Sequence, residues 1–229
     1  MDTGIQIALC IKLEGKRMAK ESYIIAGGNS VSDIDLSQLE GSDVIAINKA
    51  ILDVPFAKYF ITMDYSFLKK TDKISQKLNK MSCTKFFIAN YVPNYIKDVK
   101  GAVVDTRWNL VYDLKLFDVI LKSRKIEGFG YSWNDFRTGN NSGYCAIQLA
   151  ILLGYDKINL VGFDFIAEEQ THYHGGYNES LQNFRPKLDT YYETLRDSLL
   201  DLKKEESELK IYNCSKISKL KDLLPYKTL

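Results

Sequence analysis

The only two histidines of the 229-residue chain lie two residues apart, in the stretch THYHGGY at residues 171–177. An imidazole titrates near neutral pH, so either His172 or His174 could act as a general base that accepts a proton from a hydroxyl group. The stretch contains glycines and closely follows a predicted strand, which is typical of a loop beside a binding site. We therefore predict that both histidines are catalytic, with Tyr173 and Tyr177 as possible substrate contacts.

A second group of polar residues lies where predicted strands end. In an open parallel sheet, ligands bind beyond the carboxyl ends of the strands, and small or amide-bearing residues there allow a nucleotide to approach the backbone. The residues predicted to contact a nucleotide are Gly27, Gly28, Asn29, Ser30, Asn48, Gly162 and Asp164. Asp64 ends another strand and is a possible substrate contact.

The run Asn140-Asn141-Ser142-Gly143 opens an apolar helix. The first amides of a helix lack intrahelical acceptors, and the helix dipole adds positive potential, so an anion is stabilised there. Asn141 or Ser142 could also simply cap the helix. The run is richer in glycine and amides than a cap requires, and all four residues are predicted to bind the nucleotide.

Several other classes of site are disfavoured. Gly27-Gly28-Asn29-Ser30 matches neither the dinucleotide-binding fingerprint nor the P-loop pattern. The four cysteines are widely spaced without a Cys-x-x-Cys pair, so we predict reduced thiols and no zinc site. No cofactor is expected to be required, although Mg²⁺ is possible because Asp164 could coordinate it.

The remaining sequence predicts the elements that position these residues. Apolar strand-like runs lie at 22–28, 43–50, 58–65, 84–91, 101–107, 156–165 and 209–215, and helical spacing lies at 71–82, 109–123, 141–155, 186–207 and 217–224. Strands that alternate with helices and are apolar throughout favour a parallel sheet covered on both faces. We predict one α/β, Rossmann-like domain with a mostly parallel, doubly wound sheet over 22–229, preceded by an N-terminal arm over 1–21.

Composition limits the partners of the chain. The net charge of +2 gives no strong nucleic-acid signature. No run approaches the roughly 20 apolar residues that a membrane span needs, and no basic segment precedes the first apolar run as in a signal peptide. We therefore expect a cytoplasmic protein with a nucleotide or nucleotide-sugar ligand. The acceptor is unknown, and a homo-oligomer is possible.

The order of these motifs resembles a known superfamily. It runs from the glycine turn with Asn29 and Ser30, through the strand ending at Asn48, to Asn-Ser-Gly at a helix start, then LLGYDKINLVGFDF and a histidine loop. This order is similar to the superfamily that joins bacterial lipooligosaccharide sialyltransferases with MptE-like (DUF115) proteins, and most similar to its bacteriophage members. The resemblance covers roughly residues 22–229 and implies a Rossmann-like, nucleotide-binding fold.

The resemblance also implies roles for individual residues. It places Asn29, Ser30 and Asn48 at the CMP part of the donor, Ser142 and Gly143 in the donor pocket, and Gly162 and Asp164 near the nucleotide. Two positions depart from the sialyltransferase pattern. Ile166 stands where those enzymes have a tyrosine that touches the donor phosphate, and Gly176 stands where they have the catalytic histidine.

Three functions follow as hypotheses. The first is a glycosyltransferase that uses a nucleotide-sugar donor and a histidine general base. The second is an MptE-like, Mg²⁺-dependent diphosphokinase that transfers diphosphate from ATP to a small alcohol. The third is a non-catalytic nucleotide-binding accessory protein of a bacteriophage.

Overall fold

A computed structural model describes residues 20–64, 73–89, 116–122, 126–175, 179–204 and 208–229. Within these ranges the strands are β1 (Glu21–Ile25), β2 (Val44–Ile47), β3 (Tyr59–Thr62), β4 (Thr84–Ala89), β5 (Val119–Lys122), β6 (Lys157–Val161) and β7 (Lys210–Asn213). They form one seven-stranded sheet in the order β5-β4-β3-β2-β1-β6-β7, and every pairing is parallel. The predicted α/β fold with a parallel, Rossmann-like sheet is confirmed.

Helices of very different length connect the strands. The α-helices in the described ranges are α1 (Lys73–Leu78), α2 (Ser142–Leu152) and α3 (Leu181–Lys204). Short 3-10 helical turns span Asn29–Asp33, Leu36–Leu39, Asn48–Leu52, Trp133–Asp135 and Lys219–Asp222. None of the helices in these ranges is both long and apolar enough to cross a membrane.

The sheet has an apolar core on each face. Ile24 packs into the core beneath α2 and α3, whereas its neighbour Ile25 belongs to the core on the opposite face, beneath α1 and the first three 3-10 turns. Alternate residues of a strand point to opposite faces, so a strand covered on both sides needs apolar residues at successive positions. This requirement explains the continuous apolar runs in the sequence.

The two long helices cover their face of the sheet in different ways. Residues 144–150 of α2 are all buried, as expected for a helix that is apolar around its circumference. On α3, Leu195, Leu199 and Leu202 are buried at helical spacing, and the polar side of the helix faces solvent. The helix begins before the predicted residue 186 because Ser180 accepts a hydrogen bond from the Asn183 amide and caps the first turn.

The chain changes direction within the sheet at β1. From β1 it proceeds outwards through β2, β3, β4 and β5, and it then returns to place β6 on the other side of β1. Connections leaving β1 and β6 therefore diverge, which opens a crevice at the carboxyl ends of these two strands. This crevice is the place where the fold provides room for a ligand.

One predicted element is wrong. Residues 119–122 were predicted to end a helix over 109–123, but they form β5, in which Val119 pairs with Phe86 of β4. Pairing with an existing sheet edge outweighs helical spacing in a short segment that contains β-branched residues. The predicted strand over 101–107 lies outside the described residues, as do residues 1–19 of the predicted arm.

Candidate functional site

A cavity of about 330 Å³ lies at the carboxyl ends of β1 and β6. It brings together most of the residues that the sequence singled out. Those lining it are Gly27, Gly28, Asn48, Asp64, Asn141, Ser142, Gly143, Gly162, Asp164, His172 and His174. Residues from six separate segments of the chain thus meet at one edge of the sheet.

The floor of the cavity is formed by the close approach of two strand ends. The Gly28 amide donates to the Gly162 carbonyl oxygen over 2.9 Å. A Cβ atom at position 28 would lie 2.4 Å from that carbonyl oxygen and 2.6 Å from the Asp164 carboxylate. Only glycine fits at position 28, because the clash would be with backbone and with a fixed carboxylate.

Asp164 holds the loop that follows β1. Its side chain is buried at 1% exposure, and its two carboxylate oxygens accept hydrogen bonds from the Ser30 amide (2.8 Å) and the Ser30 hydroxyl (2.6 Å). A buried carboxylate is tolerated only where such donors replace water. The Asp164–Ser30 pair therefore fixes the shape of the glycine turn.

The N-terminus of α2 forms a second side of the cavity. Asn141 caps the helix, because its Oδ1 accepts from the Tyr144 amide over 2.8 Å. The Ser142 hydroxyl accepts from the Met63 amide, which ties the helix to the end of β3. The amides of Ser142 and Gly143 have no acceptor among the described residues. A helix start with free amides is a favourable site for a phosphate.

The histidine loop lies across the ends of β1 and β2. Its Tyr173 amide donates to the Gly27 carbonyl oxygen over 3.2 Å, and Asn29 Nδ2 donates to the Gln170 carbonyl oxygen over 3.1 Å. Lys49 Nζ donates to the Gly175 carbonyl oxygen over 2.9 Å. These contacts hold the loop against the strand ends, so both histidines face the cavity.

His172 lies in an apolar environment. Its ring centroid is 4.6 Å from that of Phe184, and a Cβ atom at Gly27 would lie 2.7 Å from its Cδ2 atom. Burial lowers the pKa of His172 from 6.5 to about 4, because the charged form loses its hydration. The ring is therefore a neutral imidazole at physiological pH.

His174 contacts a carboxylate. Its Nε2 atom lies 3.0 Å from Asp53 Oδ2, and its side chain is 13% exposed. Burial lowers the pKa of His174, while the Asp53 charge acts in the opposite direction. The two histidines thus have different surroundings although a single residue separates them, since His172 packs against an aromatic ring and His174 contacts a carboxylate.

Unusual backbone conformations concentrate at this edge of the sheet. The non-glycine residues with positive φ in the described ranges are Asn48, Asn140 and Phe165, with φ of 53°, 55° and 55°. Asparagine adopts this conformation readily, but a phenylalanine there is strained. Asn48 and Phe165 line the cavity. Strain of this kind clusters at functional sites, where the surrounding packing holds it in place.

Some predicted site residues do not line the cavity. Asn29, Ser30, Asn140 and Tyr173 lie outside its wall, and Tyr177 is not among the described residues. Ser30 binds Asp164 from behind the glycine turn, and the Tyr173 hydroxyl donates to Asp53 Oδ2 over 2.8 Å.

The cavity also has residues that sequence reasoning missed. Phe184 and Tyr191 line it from α3, and their seven-residue spacing is that of one helix face. Helical periodicity could have identified them once α3 was known to start before residue 184. Asp53 lies at the end of the turn that follows β2, and nothing in its local sequence distinguishes it.

The acidic residues of the site are dispersed. Asp164 is engaged with Ser30, and Glu179 on the opposite wall forms an ion pair with Lys187. Over the described part of the chain, no group of three histidine, cysteine, aspartate or glutamate side chains is placed to hold a metal ion. Cys83, Cys145 and Cys214 are buried free thiols whose pKa is raised by burial.

Among the solved structures that are similar to this chain are two of the sialyltransferase CstII from Campylobacter jejuni. The complex with the substrate analogue CMP-3FNeuAc aligns with a TM-score of 0.46 and 16% identity, over 91% of this chain and 86% of that chain. The complex with cytidine-5'-monophosphate aligns with a TM-score of 0.49 and 16% identity, over 93% and 86%. No family model and no curated protein matches the sequence.

Proposed function

We propose that the chain is a nucleotide-dependent transferase, specifically a glycosyltransferase with a nucleotide-sugar donor and a histidine general base. This proposal rests on one observation: groups that suit phosphate binding and groups that suit proton transfer line the same cavity. The free amides at the start of α2 suit a phosphate, and the two neutral histidines suit proton removal.

The donor would lie across the strand ends with its phosphate at α2. The Ser142 and Gly143 amides would donate to the phosphate oxygens, where the helix dipole also stabilises negative charge. The nucleoside would lie over Gly27 and Gly28, because the absence of side chains there allows close approach to the backbone. Asn48, at the end of β2, would provide an amide group for hydrogen bonding.

Sugar transfer requires the removal of one proton. The acceptor hydroxyl oxygen forms a bond to the anomeric carbon, while the bond between that carbon and the donor phosphate oxygen breaks. A neutral imidazole takes the hydroxyl proton. The nucleotide leaves as an anion, and the α2 amides stabilise its developing charge. No metal ion takes part in this scheme.

The two other hypotheses make different demands on the same cavity. A diphosphokinase would need Mg²⁺ and would release AMP from ATP. A non-catalytic binder would hold a nucleotide without turnover. Two of the three acidic residues that line the cavity, Asp164 and Glu179, are already paired, so they give no support to the Mg²⁺-dependent diphosphokinase. A relation to MptE-like and bacteriophage proteins remains part of the proposal.

Calorimetric titration with CMP, UDP, GDP and ATP, each with and without Mg²⁺, tests the nucleotide site. We expect at least one nucleotide to bind, and Gly143→Ala to weaken that binding about tenfold. The added methyl group would lie 3.0 Å from Phe163 and 3.1 Å from the Asn141 cap, and would displace the first-turn amides. Gly175→Ala is the matched control, because its Cβ would meet no atom within 4 Å. If no nucleotide binds the wild-type chain, the proposal is wrong.

A further inference from the structure

We propose that His174, and not His172, is the general base, and that Asp53 is a positioning residue that orients its imidazole with the help of Tyr173. This inference rests on the proposed function. It adds a residue to the site that lies more than a hundred positions from the histidines in sequence.

The contact between Asp53 and His174 determines which ring nitrogen carries the proton. Nε2 lies 3.0 Å from Asp53 Oδ2. A carboxylate accepts hydrogen bonds and is negatively charged, so it favours the tautomer of the neutral ring in which the nearest nitrogen, Nε2, carries the proton. Nδ1 then holds the lone pair and is the basic atom. The Nε2–H bond does not point directly at Oδ2 in this geometry, and contacts of this kind often become better aligned in a substrate complex.

Other contacts fix the Asp53–His174 pair in place. The Tyr173 hydroxyl donates to the same oxygen of Asp53 over 2.8 Å, and the Tyr173 and His174 rings lie 3.9 Å apart between centroids. Lys49 binds the Gly175 carbonyl directly after His174. Asp53 is itself held in place because it ends the 3-10 helical turn Asn48–Leu52. The imidazole is therefore held from the β2 side and from its own loop.

The surroundings of the two rings favour His174 as the base. A general base becomes positively charged as it takes the proton, so a neighbouring carboxylate stabilises the transition state. Asp53 is the carboxylate that stabilises the positive charge on His174. His172 is instead packed against the Phe184 ring and Gly27, where burial disfavours positive charge by more than the charge of Glu179 favours it. Its role is to form the apolar wall of the cavity.

Two charged groups of the described residues act on His174, and two further side chains lie close to it. Asp53 stabilises the imidazolium, whereas Lys49, on the same turn, destabilises it. His172 and Tyr173 approach from its own loop. Replacing Asp53 by asparagine removes the favourable charge and keeps the shape, so the pKa of His174 must fall further below its ordinary value.

Nuclear magnetic resonance of the imidazole nitrogens tests the pair without any activity assay. The chain has only two histidines, so each ring can be assigned with one substitution. We expect the Nε2–H tautomer at His174, and Asp53→Asn to lower the pKa of His174 while leaving that of His172 in place. Asp33→Asn, an exposed aspartate in another turn, should change neither. An Nδ1–H tautomer, or an unchanged pKa in Asp53→Asn, overturns the inference.

Kinetics then tests the role in transfer. Asp53→Asn should lower kcat/KM at least about tenfold, shift the acid limb of its pH profile to lower pH, and leave nucleotide affinity within about twofold. Asp53→Glu should restore part of the rate. A wild-type rate and profile in Asp53→Asn refutes the positioning role. If the wild-type chain neither binds a nucleotide nor turns over a donor, the proposed function is refuted instead. The nuclear magnetic resonance titration then still decides whether Asp53 and His174 form a pair.

Discussion

The two sides of the cavity are built in different ways. The strand-end wall consists of Gly28, Gly162 and Asp164, and it is held by a main-chain hydrogen bond and by the hydrogen bonds of the buried Asp164 carboxylate with Ser30 behind it. The histidine wall consists of His172 and His174, and it is held by side-chain contacts between residues 173–175 and their partners on the turn after β2. One of these partners, Asp53, has a side chain that is 41% exposed.

This difference separates the two tasks that the proposed transfer reaction needs. The strand-end wall has no room for an added atom, so it presents a ligand with a fixed shape. The histidine wall depends on charges that protonation can change. We therefore expect substitutions in the first wall to alter stability most, and substitutions or pH changes in the second to alter proton chemistry most.

The largest effect is expected at the strand-end wall. Gly28→Ala places a methyl group 2.4 Å from the Gly162 carbonyl oxygen, so the two strand ends must separate. We expect a loss of about 3 kcal/mol in the free energy of unfolding, as for overpacked cores. Chemical denaturation measures it, with Gly175→Ala as the control that should stay near wild type. Equal stability of the two variants would show that the strand-end wall is as adaptable as the histidine loop.

Acid should weaken the protein through the histidine wall. His172 has a pKa of about 4 when folded and 6.5 when unfolded, so the unfolded chain binds the proton more readily. The contribution of His172 to the free energy of unfolding is fully present above pH 6.5 and is lost as the pH falls towards 4. Because the ring keeps some solvent contact, we expect about 1–2 kcal/mol over this range.

Denaturation at a series of pH values measures this loss in the wild-type chain and in His172→Gln. Glutamine is polar but does not titrate in this range, so the variant should lose less stability between pH 6.5 and pH 4. Identical slopes in the two proteins would place the acid sensitivity elsewhere in the molecule.

The smallest effect is expected from Lys49. Its positive charge lowers the pKa of both histidines, so Lys49→Met should raise both values. Its ammonium group is exposed where it binds the Gly175 carbonyl, so the free energy of unfolding should change by less than about 0.5 kcal/mol. Titration of the imidazole resonances checks the direction of both shifts. A fall in either pKa would mean that the loop has moved away from the turn after β2.

The strand-end wall could be predicted from sequence because it depends on residues that directly follow recognisable strands. Gly28 and Gly162 directly follow apolar runs, and the rule that ligands bind beyond parallel strands placed them together. The start of α2 was likewise marked by Asn141 and Ser142. The role of each of these residues can be inferred from the residues next to it in the sequence.

The partners of the histidines could not be predicted in the same way. Asp53 and Tyr173 are 120 positions apart in sequence, and their contact depends on how the loop folds back over β2. The same limitation explains the error at β5, where pairing with β4 decides between strand and helix for residues 119–122.

The most direct test of the account is nucleotide release from a panel of nucleotide sugars, measured by chromatography in the presence of EDTA. Water can serve as the acceptor, so the natural acceptor need not be known. We predict that the wild-type chain and Gly175→Ala release the nucleotide from at least one donor, and that His174→Ala does so about a hundredfold more slowly. Release no faster than in buffer, or an undiminished rate in His174→Ala, would contradict the central claim.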